Sequence, residues 1–157
     1  AIFAIAFIAL VVVALRKPKV VPPQLDLPKR SDQKATSETG PGEHTKYKDG
    51  KILLVVKFGA QLTYPDGRAT FKDVVLTLPD RGGRTFTVAG REAEQLSKPG
   101  EEIGRVHIMG GVTLTTSDGA TVTGPEATYD DATGILEVPG QVGFTRGRMK
   151  GDGIGAT

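Results

Sequence analysis

The hydrophobic pattern changes character twice along this chain. Residues 1–15 are apolar without interruption (AIFAIAFIALVVVAL), residues 18 to about 44 sustain no period of 2 or 3.6, and from Ile52 onward apolar residues fall on alternate positions. Alternation marks a strand with one buried face, because successive side chains point to opposite sides of a sheet. Ile52, Leu54, Val56, Phe58, Ala60, Leu62 and Tyr64 therefore predict one long strand, with Lys57, Gln61 and Thr63 on its wet side. Tyr64-Pro65-Asp66-Gly67-Arg68 follows, with proline for the first turn position and glycine where positive φ is needed. It predicts a hairpin into a second strand over 70–78.

The same devices recur. Val106, Ile108, Val112 and Leu114 share one parity with Gly110 between them, Ser117-Asp118-Gly119 turns the chain into a strand over 120–123, and Asp130-Asp131-Ala132-Thr133-Gly134 turns it again. Leu136, Val138, Val142 and Phe144 repeat the parity, with Gly140 standing where Gly110 stood. A Gly-x-x-Ala core also returns, as GREA from Gly90, GPEA from Gly124 and GIGA from Gly153. In a chain with 21 glycines the bare pattern weighs little, and its setting carries the argument. Gly110, Val112 and Leu114 superpose on Gly140, Val142 and Phe144, while Gly124 and Ala127 superpose on Gly153 and Ala156. This predicts an all-β domain built from hairpin units of about 30 residues, each burying its apolar face against the next. Glycine inside a strand permits a bend or a close neighbour, and the alanine after it suits a crowded inner face. GDGIGAT stops where the preceding unit still has a strand to come, so the domain is expected to continue past Thr157.

The first third has a different organisation. The apolar run is followed at once by Arg16, Lys17 and Lys19, with no small-x-small pair before them to serve as a cleavage site. A spanning helix needs about 20 apolar residues and a signal-peptide core about 7–15, so the missing cleavage site decides for an uncleaved membrane helix over 1–17, truncated at its start. Residues 18–48 read as a Pro-rich, extended linker holding the following domain off the membrane. Residues 49–157 read as the β domain. Basic residues directly after the helix would, by the positive-inside rule, hold the rest of the chain in the cytoplasm, which requires a more basic segment before Ala1 if the β domain is exported.

Composition narrows the chemistry. There is no Cys, which excludes disulfides, thiolate metal sites and cysteine nucleophiles. Twenty Lys and Arg against 18 Asp and Glu, with 6% aromatics and no Trp, give neither the charge nor the stacking surface of a nucleic-acid binder. His44, in the linker, and His107, on the polar parity of a strand, have no partner at metal-ligand spacing. Asp130 and Asp131 have the composition of a turn, Glu92 and Glu94 that of a solvated edge, and Arg81-Gly82-Gly83-Arg84 lacks the Lys-Ser/Thr ending of a phosphate loop. No catalytic residue, metal or cofactor is predicted, and the chain reads as a non-enzyme. Arg146, Arg148 and Lys150 follow Phe144 at alternate positions, a candidate face for a phosphorylated head group.

The stretch VHIMGGVTLTTSDGATVTGPEATYDDATGILEVPGQVGFTRGRMKGDGIGAT resembles the periplasmic β-jellyrolls of lipopolysaccharide transport, the LptA/LptC/OstA family. The set G-V-x-L, D-G, G-x-x-A-x-Y, T-G, G-x-V-x-F, M-x-G-D-G carries the resemblance. An anchor, a linker and then the repeats, covering nearly the whole chain, is the LptC-like arrangement within that family. The resemblance implies a single-pass inner-membrane protein with its jellyroll in the periplasm. It would accept lipopolysaccharide from the inner-membrane ABC transporter subunits and pass it to a soluble, LptA-like bridge protein. The lipid-binding groove would be lined by Leu54, Val56, Phe58, Val106, Ile108, Val112, Leu114, Leu136, Val138, Val142 and Phe144. Pattern alone favours an ordinary sandwich core over a groove, and only the resemblance reverses that, so a membrane-tethered β-repeat scaffold that binds only protein is the alternative reading.

Overall fold

A computed structural model describes residues 29–96 and 104–157. The expected anchor over 1–17 and the first part of the linker lie outside the described residues. Those described are all-β and antiparallel: β1 (Ser37–Thr39), β2 (Gly42–Lys48), β3 (Lys51–Phe58), β4 (Ala60–Thr63), β5 (Ala69–Arg81), β6 (Arg84–Leu96), β7 (Arg105–Met109), β8 (Val112–Thr116), β9 (Ala120–Gly124), β10 (Ala127–Asp130), β11 (Ile135–Arg146) and β12 (Met149–Ala156). Among the described residues no helix is long and apolar enough to cross a membrane.

All twelve strands form one sheet that folds over on itself. The long strands make this possible because each takes different neighbours along its two halves. β5 pairs with β3 over 75–77 and with β4 over 69–72, β6 pairs with β8 over 86–89 and with β7 over 92–96, and β11 pairs with β10 at its start and β9 at its end. Two layers result. The first holds β2, β3, β8, β9 and most of β12 with the adjoining halves of β5, β6 and β11, and the second holds β1, β4, β7, β10 and the other halves. Between them lies the core, with Leu54, Leu76, Val88 and Leu114 from the first layer and Phe71, Ala93, Ile108, Ala127 and Tyr129 from the second.

The corner between layers explains the recurring Gly-x-x-Ala. In β6, Gly90 lies in the first layer and Ala93 faces the core in the second, and Gly124 and Ala127 stand in the same relation across β9 and β10. An odd spacing with both ends facing inward carries β6 around the corner, and β5 beside it from Phe71 to Val74. The neighbouring strand on the other side takes one residue more over the same corner. Ile108 and Val112, then Val138 and Val142, are the inward pairs, and the register shifts by one at Gly110-Gly111 and between Val138 and Gln141. Gly110 (φ 82°) and Gly140 (φ 80°) adopt the left-handed backbone such β-bulges need. The superposition of Gly110 on Gly140 is thus a superposition of bulges. The other glycines serve close approach. A Cβ on Gly90 would lie 2.3 Å from Ile108 Cγ2, and one on Gly124 2.6 Å from Val138 Cγ1. Each corner glycine leaves the space that a branched side chain of the next strand fills. The alanines do the same within the layer: Phe71, Ala93, Ile108 and Ala127 are successive cross-strand partners, large beside small.

Two boundaries differ from the pattern reading. The part of the supposed linker from residue 29 contains β1 and β2, both hydrogen-bonded into the sheet, so His44 sits in a strand with its ring 5.1 Å from that of Phe58. Alternation is hidden there because GEHTKYK lies at the rim and its positions are mostly exposed. The predicted strand from Ile52 to Tyr64 is interrupted at Gly59, although β3 and β4 keep one register against β5. Leu62 is buried but stands outside the main core, as does Ala35.

Substitution tests the corner. Gly90→Ala and Gly124→Ala should each destabilise the domain by about 1–3 kcal/mol in urea unfolding. Gly153→Ala, whose Cβ would find its nearest neighbour at 3.9 Å, should be tolerated. Equal losses at all three positions would assign the cost to strand glycine in general.

Candidate functional site

Along the first layer runs an inward row of cross-strand partners, Val56, Leu76, Val88, Leu114, Val122 and Phe144. It is covered by the second layer for most of its length. At the β11–β12 end the cover gives out. Burial falls from Leu76 and Val88, which are fully enclosed, to Phe144, which is 37% exposed. A cleft of about 470 Å³ opens there between the layers. Leu78, Phe86, Leu114, Val122 and Phe144 line it from the first layer, and Leu136, Val138 and Ala156 from the second, with Arg81, Thr116, Ala120 and Ile135 among the remaining wall residues. Its size falls in the range of small-molecule pockets, and its walls are predominantly hydrocarbon.

This geometry divides the predicted groove residues. Leu114, Leu136, Val138 and Phe144 come together on the cleft. Leu54, Val56, Phe58, Val106, Ile108, Val112 and Val142 are part of the packed core. Pattern reading missed Leu78, Phe86, Val122 and Ala156. For Leu78 and Phe86 part of the signal was Arg81-Gly82-Gly83-Arg84, a hairpin turn that brings β5 beside β6, although a bulge between Leu78 and Arg81 sets which residues face each other.

Polar groups gather where the layers meet at their ends. Arg81 Nη2 donates to Tyr129 Oη at 3.4 Å, and Lys46 Nζ donates to Asp131 Oδ2 at 2.5 Å, tying β2 to the β10–β11 turn. Burial pushes the Tyr129 phenol above its ordinary pKa. Asp118, in the β8–β9 turn, accepts from Thr116 Oγ1 and lies 3.3 Å from Arg84 Nε and 3.1 Å from Arg146 Nη2. The Thr116 hydroxyl, and then the two guanidinium groups, hold its carboxyl below the usual range.

The proposed head-group face of Arg146, Arg148 and Lys150 requires correction. Arg146 ends β11, Arg148 belongs to the turn with Gly147, and Lys150 lies on β12 opposite Thr145, so the three straddle a hairpin. Gly147, with φ 60°, makes that turn. Arg146 is also engaged by Asp118. Glu92 and Glu94 are not at an edge either, since β6 is paired on both sides; Glu94 accepts from Arg68 Nη1 at 3.3 Å. His107 Nε2 lies 2.9 Å from Glu126 Oε2. Among the described residues no group of three His, Cys, Asp or Glu is placed to hold a metal ion.

No protein-family model and no curated protein matches this chain. The cleft must therefore be read from its own chemistry: hydrocarbon walls with Arg81 among them.

Two measurements separate cleft from core. Leu76→Ala should cost about 2–5 kcal/mol, and Phe144→Ala roughly half as much or less, because Phe144 is already partly in water. Equal costs would make Phe144 a core residue. The Asp118 carboxyl should titrate below 3.8 by NMR. Its folded pKa is depressed, so its contribution to stability is complete above the unfolded value and is lost as pH falls through the folded one. Asp118→Asn should remove that component of the acid dependence.

Proposed function

We propose that this chain is a membrane-anchored, periplasmic β-jellyroll of lipopolysaccharide export, LptC-like in arrangement, and that it carries lipid acyl chains in the cleft at its C-terminal seam. The observation that supports this most is the apolar lining of the cleft, where Leu114, Val122 and Phe144 of one layer face Leu136 and Val138 of the other. A conduit for acyl chains needs such a hydrocarbon-walled cleft, and a scaffold that recognises protein through its loops does not. Burial of an acyl chain contributes about 0.8 kcal/mol per CH₂, so a short contact suffices for capture and a long closed tunnel would hinder release. β12 lies beside β11 at the end of the sheet, with nearly all its residues exposed. In this reading the C-terminal strands of the domain add a strand from the soluble bridge protein and extend the apolar row beyond Phe144. The lipid arrives from the inner-membrane ABC transporter subunits, and the segment over 1–17 anchors the chain beside them. One observation favours the scaffold reading: the interior from Leu54 to Val112 is tightly packed, which limits any groove to the last third of the domain.

Site-specific photo-cross-linking tests the proposal. A benzophenone amino acid at Phe144, Leu136 or Val122 should capture lipopolysaccharide in cells. The same probe at Thr113 or Thr145, on the opposite parity, should not. Adducts at both parities would indicate adhesion to the surface, and adducts at neither would leave the scaffold.

A further inference from the structure

We propose a second interaction surface: the row of hairpin tips at the far end of the first layer docks on an anionic lipid surface. The register places four turns at this one end, those joining β2 to β3, β5 to β6, β8 to β9 and β11 to β12. Hydrogen bonds between Thr85 and Ser117 tie two of the turns together, and Asp118, shared by Arg84 and Arg146, ties in a third.

The charge of this end differs from that of the molecule. Lys48, Lys51, Arg84, Arg146, Arg148 and Lys150 are exposed there, against Asp49, Asp80 and Asp118, whereas the whole chain carries only +2. Lys48 faces Lys51 directly across its hairpin, a like-charge pair that disfavours the strand pairing unless an anion lies between or beside them. At the β4–β5 turn of the second layer charges are matched instead, Asp66 and Glu94 meeting Arg68. The β10–β11 turn lies near the tips, and its acids are taken up by other cations, Asp130 by Arg105 and Asp131 by Lys46.

Charge alone would suit an acidic protein as well. What selects a lipid surface is the apolar side chains set among the cations. Tyr47 is 62% exposed, Ile52, its cross-strand partner, 43%, and Met149 62%. An aromatic ring, a branched aliphatic and a thioether beside lysines and arginines form the composition that settles at a head-group interface, rings and methyls at the acyl boundary and cations on phosphate. The cleft agrees in position. Leu78, Arg81, Phe86, Thr116, Ala120 and Phe144 lie within a few residues of three of these turns, so the cleft opens toward the end that would meet lipid. The inference goes beyond the proposed function and holds whether or not the cleft carries a ligand.

The chain has no cysteine, so single cysteines at Tyr47, at Met149 and, as a control in a second-layer turn, at Asp66 can each carry an environment-sensitive fluorophore. The full chain is placed in vesicles of phosphatidylcholine, with or without phosphatidylglycerol, and quenched by spin-labelled lipid. Labels at 47 and 149 should be quenched in the anionic vesicles and released by high salt, while the label at 66 stays unquenched. Lys48→Ala, Lys51→Ala, Arg148→Ala and Lys150→Ala should together abolish tip quenching, each removed cation lowering contact by roughly fivefold. An unchanged thermal melt shows that the variant is folded. Quenching at 66 equal to that at 149, quenching independent of phosphatidylglycerol, or no quenching at the tips overturns the proposal. Protection of the tips by polyglutamate without any vesicle response does so as well, by assigning the surface to an acidic protein.

Discussion

Everything in this fold depends on taking a continuous antiparallel sheet around a corner without breaking its hydrogen bonds and without turning polar side chains into the core. The chain resolves this in two ways. One strand crosses with inward residues at an odd spacing, as from Gly90 to Ala93, and its neighbour crosses with a bulge that adds a residue, as from Ile108 to Val112. β5 crosses beside β6 in the first way, from Phe71 to Val74, with no shift of register between them. The glycines without side chains at the corner make room for Ile108 and Val138, and the glycines with positive φ make the bulges. A repeat of about 30 residues is then the length of one crossing out and one crossing back.

The interior built this way is apolar. Among the described residues no polar or charged residue is buried, and no buried side-chain nitrogen or oxygen lacks a partner. Stability therefore comes from apolar burial and the sheet's own hydrogen bonds. The ion pairs all lie at partly or largely exposed sites, where each contributes about 0–1 kcal/mol, so they set how the ends of the layers are held more than whether the domain folds. Lys46 with Asp131 and Arg81 with Tyr129 link the two layers at their ends.

How much of this was legible in the sequence follows from which side of the sheet recorded it. Alternation is visible where one face is buried and the other wet, so the strands around Val56, Ile108 and Val142, and the turns at Gly67, Gly119 and Gly134, could be read directly. β2 could not, because a rim strand has little buried face to impose a pattern, and its His44 looked like part of a linker. The straddling of a turn by Arg146, Arg148 and Lys150 was hidden for another reason: Gly147 ends the strand with no proline or aspartate to announce it. Recurrence of Gly-x-x-Ala was legible as a repeat but its cause was not. The clash that makes Gly90 obligatory involves Ile108, a residue on another strand, and no local pattern records a neighbour's methyl group.

The cleft has the same origin as the fold. Within the sheet each inward side chain is covered by cross-strand neighbours and by the opposite layer, and the small-beside-large alternation of Phe71, Ala93, Ile108 and Ala127 allows that cover to be close. At the last crossing the supply of large partners ends. Phe144 has Val122 on one side but Gly151 on the other, and Val142 has Gly153. A strand of glycines completes the hydrogen bonds of β11 while adding almost no side chain to the interior. β12 thus closes the backbone ladder and leaves the core open, and an apolar row that is fully enclosed at Leu76 reaches solvent at Phe144. Replacing those glycines by large residues is the obvious way to a better core, and a sequence that retains them keeps hydrocarbon accessible at the end where cationic turns lie closest.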